Sequence, residues 1–318
     1  MALCDQLEQQ QTDSLTAHQT LVETLLGTLI RVDSQQEFSA AWARIASHFD
    51  TLFTTEASID QLKQSILQLA VMGKLVPQVS NDEPVDKLLV RILKARQALL
   101  GNAAKLVVGW EDALEFNIPV SWQWQPLGNL LIFGPTNGTS PQAVDFETSV
   151  RSLTLSATTS GKFKGEHFKF IASDIPAESD LWLRDGDILV QRGNTIEYVG
   201  VSAVYHGNPN QFVYPDLMMK LRVSPELSVD FIHLAMSHVQ AREFLRSRAT
   251  GTSGTMPKIN QTALKSLPIP IPPRAEQQRI VAKVDELMAL CDALKARLAD
   301  AQTTQLHLAD AIVEQAVC

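Results

Sequence analysis

Little in this chain of 318 residues points to chemistry of its own. Three cysteines with no CxxC pair argue against a disulfide framework or a zinc ribbon, and fit a reduced cytoplasm. No apolar run approaches the roughly 18–20 residues that cross a bilayer, which excludes a membrane-spanning reading. The opening MALCDQLEQQQTD has neither the basic nor the apolar stretch of a secretory signal. An adenine methyltransferase needs [Asn/Asp]-Pro-Pro-[Tyr/Phe], and the nearest string, Asn208-Pro209-Asn210-Gln211, departs from it. There is no phosphate-cradling GxxxxGK[ST], no GxGxxG after a strand and no GxSxG elbow. The seven histidines are scattered, and His233 and His238 are five apart, the wrong spacing for one helix face. The chain is therefore read as non-catalytic, with no metal and no cofactor of its own.

Positive charge is also scarce, but unevenly so. The formal net charge is −8, yet residues 119–275 hold 14 Lys+Arg against 13 Asp+Glu. The acidity sits in the two ends and their connector, which leaves room for a local basic face on the middle. With 45% hydrophobic and 19% charged residues the chain can build a sizeable core.

The two ends repeat each other. MALCDQL at 1–7 returns as MALCDAL at 288–294, and the same offset matches Asp13 with Asp300, Thr16 with Thr303 and Leu21 with Leu308. The C-terminal element is helical by period. Ile280, Val284, Leu287, Cys291, Leu294, Leu298 and Ala301 are spaced 4-3-4-3-4-3, an a/d seam that needs a partner helix. Gln305 interrupts it, and Leu308 and Ile312 resume it. The N-terminal region predicts a first helix carrying Leu3, Leu7, Leu21, Leu25 and Leu29, then a break at Val32–Ser34. A second helix follows over Glu37–Phe53, with Phe38, Ala41, Trp42, Ile45 and Phe49 on one face. A third carries Ile59, Leu62, Ile66, Leu69 and Ala70, with Ser58 as its N-cap and Gly73 as its stop. Val85–Leu100 reads as a further amphipathic helix.

After Pro119 short β-type runs alternate with turns: Leu130–Phe133, Arg151–Leu155, Ile188–Gln191, Val199–Val204 and Met218–Val223. One helix is expected over Val229–Arg248. The fold class is α+β: helical region 1–78, connector 79–109, a mixed domain at 110–272, and a long helix at 273–318, with the flanking helices pairing as an antiparallel coiled coil.

Several polar clusters in the middle suit a nucleic acid. Gln191, Arg192 and Asn194 follow a short buried strand and are side-chain types that reach base edges or phosphates; the alternative is a turn in which Arg192 pairs with Asp185 or Asp187. Thr136 and Asn137 open a loop rich in hydroxyls and amides, suited to phosphate or to solvent. Lys162, Lys164 and Lys169 lie around Phe163 and Phe168, a stretch that can follow a phosphate backbone or form an ordinary solvated strand with a buried aromatic side. Arg242, Arg246 and Arg248 run into a Gly/Thr loop at 250–255 and then Lys258; the same arginines also suit the end of a helix dipole.

Three strings carry a resemblance. PIPIPPRAEQQRIVAKVDE at 268–286, SIDQLKQSILQLAVMGKLVPQ at 58–78 followed by NDEPVDKLL, and WLRDGDILVQRGN followed by VGVSAV resemble the specificity (S) subunit of type I restriction–modification systems, over nearly the whole chain. The resemblance implies a cytoplasmic subunit that reads one half of a split site in double-stranded DNA. It implies partner methylation subunits, which bind S-adenosylmethionine and dock on the conserved helices, and a restriction subunit that can join them. Thr136, Asn137, Lys162, Lys164, Gln191, Arg192, Asn194, Arg248 and Lys258 are then the expected DNA contacts. Leu3, Leu7, Ile66, Leu69, Leu287, Cys291, Leu294 and Leu298 are the expected partner contacts. A full family member holds two recognition domains. One is visible here, and Met1 corresponds to Met288 in mid-helix, so the chain looks like a C-terminal half. Such a half can pair as a homodimer through its helices or close on itself. The rival readings are a truncated decoy, a helical adaptor that binds partners without productive DNA reading, and a self-contained nuclease or methyltransferase.

Overall fold

The structure is a computed structural model that describes residues 2–32, 34–110, 116–251 and 256–317. It divides into two compact units, residues 1–70 with 282–318, and residues 71–281. The class is α+β.

The first unit is helical. It contains α1 (Ala2–Arg31), α2 (Gln35–Ser47), α3 (Phe49–Leu52), α4 (Glu56–Val71) and the greater part of α10 (Arg274–Val317). Ser34 starts α2 by accepting from the Glu37 N–H at 3.2 Å. Ser58 is not the cap of α4. Thr55 takes that place: its Oγ1 accepts from the Ser58 N–H at 3.1 Å, while Ser58 Oγ accepts from the Thr55 N–H at 3.2 Å. The two hydroxyls thus satisfy each other's amides, a reciprocal cap at the free N-terminal end of the helix. Past α4, Gly73 adopts φ +71°, the left-handed conformation in which helices commonly end.

The core of this unit follows helical spacing: Val22, Leu26 and Leu29 on α1, Ala41 and Ile45 on α2, and Ile59, Leu62, Ile66, Leu69 and Ala70 on α4 are all buried. Trp42, expected on the inner face of α2, is 43% exposed. Helices α4 and α10 run antiparallel. Asp60 pairs with Lys295 at 2.7 Å and Lys63 pairs with Asp292, so a step of three forward on one helix matches a step of three back on the other. Cys291 lies buried on that side of α10, whereas Leu306, Leu308, Ile312 and Val313 near its end are exposed.

The second unit begins with α5 (Val85–Leu100), expected as a connector but anchored here. Its inward residues Leu88, Ile92 and Arg96 recur every four positions. The buried Arg96 guanidinium donates to Leu131 O at 2.8 Å and Gly128 O at 3.0 Å. Next come β1 (Gln123–Pro126), α6 (Leu127–Leu130), β2 (Leu131–Asn137), β3 (Ala143–Val144), β4 (Arg151–Leu153), β5 (Phe168–Ile171), β6 (Asp187–Gln191), β7 (Ser202–Tyr205) and β8 (Met218–Val223). They are followed by α7 (Val229–Ser237), α8 (Val239–Ser247), α9 (Gln261–Lys265) and β9 (Pro268–Ile271). The expected single helix over Val229–Arg248 is broken at His238, whose extended ψ of 162° interrupts the ladder and whose buried ring Nδ1 lies 2.7 Å from Ala235 O.

Among the described residues three antiparallel sheets result: β2-β8-β6-β7, β3-β5-β4, and the β1-β9 ribbon. Strand β6 lies between β8 and β7 and every residue of it is buried. A core cluster of Leu153, Leu183, Leu189, Tyr205, Phe212, Tyr214 and Met218 packs with Phe163 and Phe168. Inside the same unit sits a charge cluster. Asp187 and Lys220 are 0% and 1% exposed, and Asp187 accepts from Arg222 at 2.6 Å. Lys220 Nζ donates to Trp182 O at 2.8 Å and lies over the Phe133 ring, 5.0 Å from its centroid.

Candidate nucleic-acid interface

Strand register gathers most of the candidate side chains at one end of the four-stranded sheet. Asn137 closes β2 opposite Met219, and Gln191 closes β6 opposite Met218. Val190 pairs with Ser202, the first residue of β7. The segments leaving β2 and β6 and entering β8 and β7 therefore share that end. Lys258 joins them by a bridge to Gly193, and the Ile259 N–H donates to Arg192 O at 2.8 Å. Thr250, two residues after Arg248, pairs with Lys258 as well. Thr252–Thr255 of that Gly/Thr loop lie outside the described residues.

The candidates divide by burial. Gln191 is fully buried, and its amide donates to Leu155 O (3.0 Å), Thr158 Oγ1 (3.0 Å) and Thr159 Oγ1 (3.2 Å). It presents nothing to a groove and instead pins the 155–159 turn to the sheet. That corrects its expected role as a base reader. Its carbonyl accepts from Asn194 Nδ2 at 2.6 Å, so the half-buried Asn194 is partly committed too. Thr136 is half-buried with its hydroxyl 3.0 Å from the Tyr214 hydroxyl, while Asn137 beside it is exposed. Burial pushes the Tyr214 phenol up to about 12, so it stays protonated as Thr136's partner.

Basic residues surround these. Lys162, Lys164, Arg248 and Lys258 are exposed and Arg192 is half-buried. Arg192 does not pair with Asp185 or Asp187: Asp187 binds Arg222, and Asp185 Oδ1 lies 3.2 Å from His206 Nδ1. Among the described residues Arg192, Lys164 and Lys258 have no ion pair. Arg248 stacks on Phe244, its guanidinium carbon 3.5 Å from the ring centroid, with the cation toward solvent.

Arg242 and Arg246 face inward. Arg242 Nη2 donates to Glu197 O (2.8 Å) and Val199 O (3.0 Å), and Arg246 Nη2 donates to Glu197 O (3.0 Å). Burial pushes the Arg242 guanidinium down to about 10, with Arg246 beside it acting in the same direction. The signal for this pair was their i, i+4 spacing on α8, which gives two arginines one target.

Among the expected partner contacts, Ile66, Leu69 and Cys291 are buried in the core of their own unit and cannot also meet another chain in this conformation. Leu287, Leu294 and Leu298 are half-buried and Leu7 is 57% exposed. The side chain of Leu3 lies outside the described residues. Among the described residues no group of three His, Cys, Asp or Glu side chains is placed to share a metal ion, and no helix is long and apolar enough to cross a membrane.

Residues 161–301 match the family described as the type I restriction modification DNA specificity domain. The whole chain aligns at 38% identity with the type I restriction enzyme EcoEI specificity subunit of Escherichia coli, of which it covers 55%. The EcoAI specificity subunit of Escherichia coli aligns with the whole chain at the same 38%, with 54% of that protein covered. The chain thus spans about half the length of the curated relatives it matches. A chain from a solved type I R-M system, determined for its complex assembly and conformational transition, superimposes with a TM-score of 0.50 at 18% identity. That superposition covers 81% of this chain and 58% of the other, and it shows likeness of fold.

Proposed function

From a chain that belongs to the family of type I restriction specificity subunits, and spans about half of one, we propose a non-catalytic DNA reader. The 71–281 unit reads one half of a split site in double-stranded DNA, and the helices bind partner methylation subunits. The observation that carries the reading is the convergence at one sheet end of Asn137, Arg192, Asn194, Arg248 and Lys258, with Lys164 on the segment tethered beside them. Cations without an ion pair at the rim attract phosphates, which gives affinity and salt dependence but no sequence choice. Amide and guanidinium groups set between them are the chemistry that reads base edges. Methyl transfer belongs to the partner subunit, which holds S-adenosylmethionine and takes the target base out of the stack. A restriction subunit joins the same assembly, and two copies of this chain supply the two halves of the site.

The test combines the full chain with its cognate methylation subunit, genomic DNA and tritiated S-adenosylmethionine, with the mass of the particle measured by light scattering. Methyl transfer by a particle with two copies of this chain is expected. A stable complex that transfers nothing would favour the decoy reading. DNA binding that ignores salt would remove the phosphate contacts from the proposal.

A further inference from the structure

The segment that leaves β6 is built unlike an ordinary surface loop. Its base is closed by the Gly200 N–H donating to Gln191 O at 2.8 Å. Within it, the Tyr198 and Val199 N–H groups donate to Thr195 O at 3.0 and 3.2 Å, and the Thr195 N–H donates to Asn194 Oδ1 at 2.8 Å. From outside, Arg242 and Arg246 hold the Glu197 carbonyl. Gly200 at φ +77° lies so close to α8 that a Cβ there would come within 2.7 Å of Leu245. Yet the tip side chains are exposed: Ile196 is 47% and Tyr198 37% exposed, and Glu197 is exposed between them, its Oε2 accepting from the Thr195 hydroxyl at 3.3 Å. Two large apolar residues on a loop stapled this firmly are unlike a flexible solvated turn. A pre-ordered loop loses little conformational entropy when it binds, so its contacts go into affinity and selectivity.

We propose that the Thr195–Tyr198 turn is a base-reading element that enters the major groove, with Arg242 and Arg246 as positioning residues that never touch DNA. The inference rests on the DNA-reading function proposed above. Charge and chemistry select this occupant and this groove. The turn lies at the sheet end that carries Arg192, Lys258 and Arg248, so a polyanion is drawn to its rim. Glu197 would repel phosphates, but its carboxylate accepts from the amino groups of cytosine or adenine, which are displayed in the major groove. Ile196 and Tyr198 suit the thymine methyl group, which is exposed in the same groove. The minor groove offers acceptors, with the guanine N2 amino group as its one donor, and its negative potential disfavours a carboxylate.

The experiment selects bound sequences from a randomised duplex pool with the full chain in complex with its methylation subunit. It compares wild type with Glu197→Gln, Tyr198→Ala, Arg242→Lys and Lys258→Gln. The first two change exposed side chains and leave the fold intact. Wild type should enrich a defined motif. Glu197→Gln and Tyr198→Ala should each lose about tenfold discrimination at one or two adjacent positions, leaving the rest of the motif and the salt dependence unchanged. Arg242→Lys, which breaks the fork on Glu197, should relax the same positions. Lys258→Gln should weaken all sequences alike and reduce the salt slope by about 1. An unchanged motif in both Glu197→Gln and Tyr198→Ala would overturn the inference while leaving the DNA-reading function standing. A wild type that enriches nothing would overturn both.

Discussion

The two units differ in whether an ion pair is buried. In the helical unit Lys63–Asp292 and Lys295–Asp60 lie at the rim between α4 and α10, with side chains 21–57% exposed. In the 71–281 unit Asp187 and Lys220 are sealed inside, and burial raises the Asp187 carboxyl and lowers the Lys220 ammonium relative to their ordinary values. At the rim, water already solvates each partner, so the pair chooses register more than it adds stability. In the interior each charge depends on its partners. There the cluster specifies one arrangement of β6, β8 and the segment at Asp180–Trp182 whose carbonyls receive Lys220.

The sharpest way to break this contrast is Asp187→Ala. It leaves Lys220 and Arg222 facing a site without their carboxylate, and a loss of about 4 kcal/mol is expected in the 71–281 unit. Segment-resolved hydrogen exchange checks it: protection should fall across β6 and β8 and hold in α4. Loss of protection in α4 as well would mean that the two units unfold as one. The complementary change in the helical unit is apolar. Ile66→Ala removes a buried side chain, 6% exposed, and should cost about 3 kcal/mol in denaturant unfolding, confined to α4 and α10.

Acid should act on the 71–281 unit through histidine. Burial pushes His238 down to about 4 and also lowers His233. A base whose folded pKa is depressed binds more protons when unfolded, so stability falls as pH drops from about 6.5 toward 4. For His238 the shift corresponds to about 3 kcal/mol at most. His206 has the opposite sign. Its burial lowers the value, but hydrogen bonds to Asp230 and Asp185 outweigh that and raise it overall. Its stabilisation is present below about 6.5 and is lost as pH rises through the raised pKa. Unfolding followed across pH 4–8 should show the acid limb shrink in His238→Phe, with His233 keeping part of it, while the alkaline limb survives.

The helical part of this architecture was legible because burial there obeys one period. The bounds of α5 and the inner face of α4 are visible in the spacing of Leu88, Ile92, Ile59, Leu62 and Ile66. Strand β9 was not, because PIPI contains two prolines. Its register explains them: Pro268 and Pro270 are two apart, so both missing N–H groups face one edge and those of Ile269 and Ile271 face the other. In the candidate interface, residue type picked out side chains that the fold gathers at one sheet end, but not which of them are exposed. Gln191 and Arg192 are adjacent and chemically alike as DNA contacts, yet Gln191 is the last residue of a strand buried on both faces, whereas Arg192 lies just past its end and is half-buried. That boundary was available in the sequence, where the β-type run ends at Gln191. The carbonyl that captures Arg242 and Arg246 was not, since it sits some fifty residues away and only the folded chain brings it to α8.

The smallest expected effect is the most discriminating for the helical pair. Lys295→Ala should cost well under 1 kcal/mol, because both partners in the Lys295–Asp60 bridge are solvent-accessible and part of the attraction is already screened. Its salt dependence is the better measurement: added salt should shrink the difference between Lys295→Ala and wild type toward zero, over a Debye length of about 8 Å at 0.15 M. The charge-reversed double variant, Asp60→Lys with Lys295→Asp, should recover wild-type stability, whereas either reversal alone places like charges opposite each other. Recovery fixes the antiparallel register of α4 on α10 in solution. A double variant as weak as the worse single reversal would mean that the two helices pair in another register, and that the bridges follow the packing of Ile66 and Cys291 without selecting it.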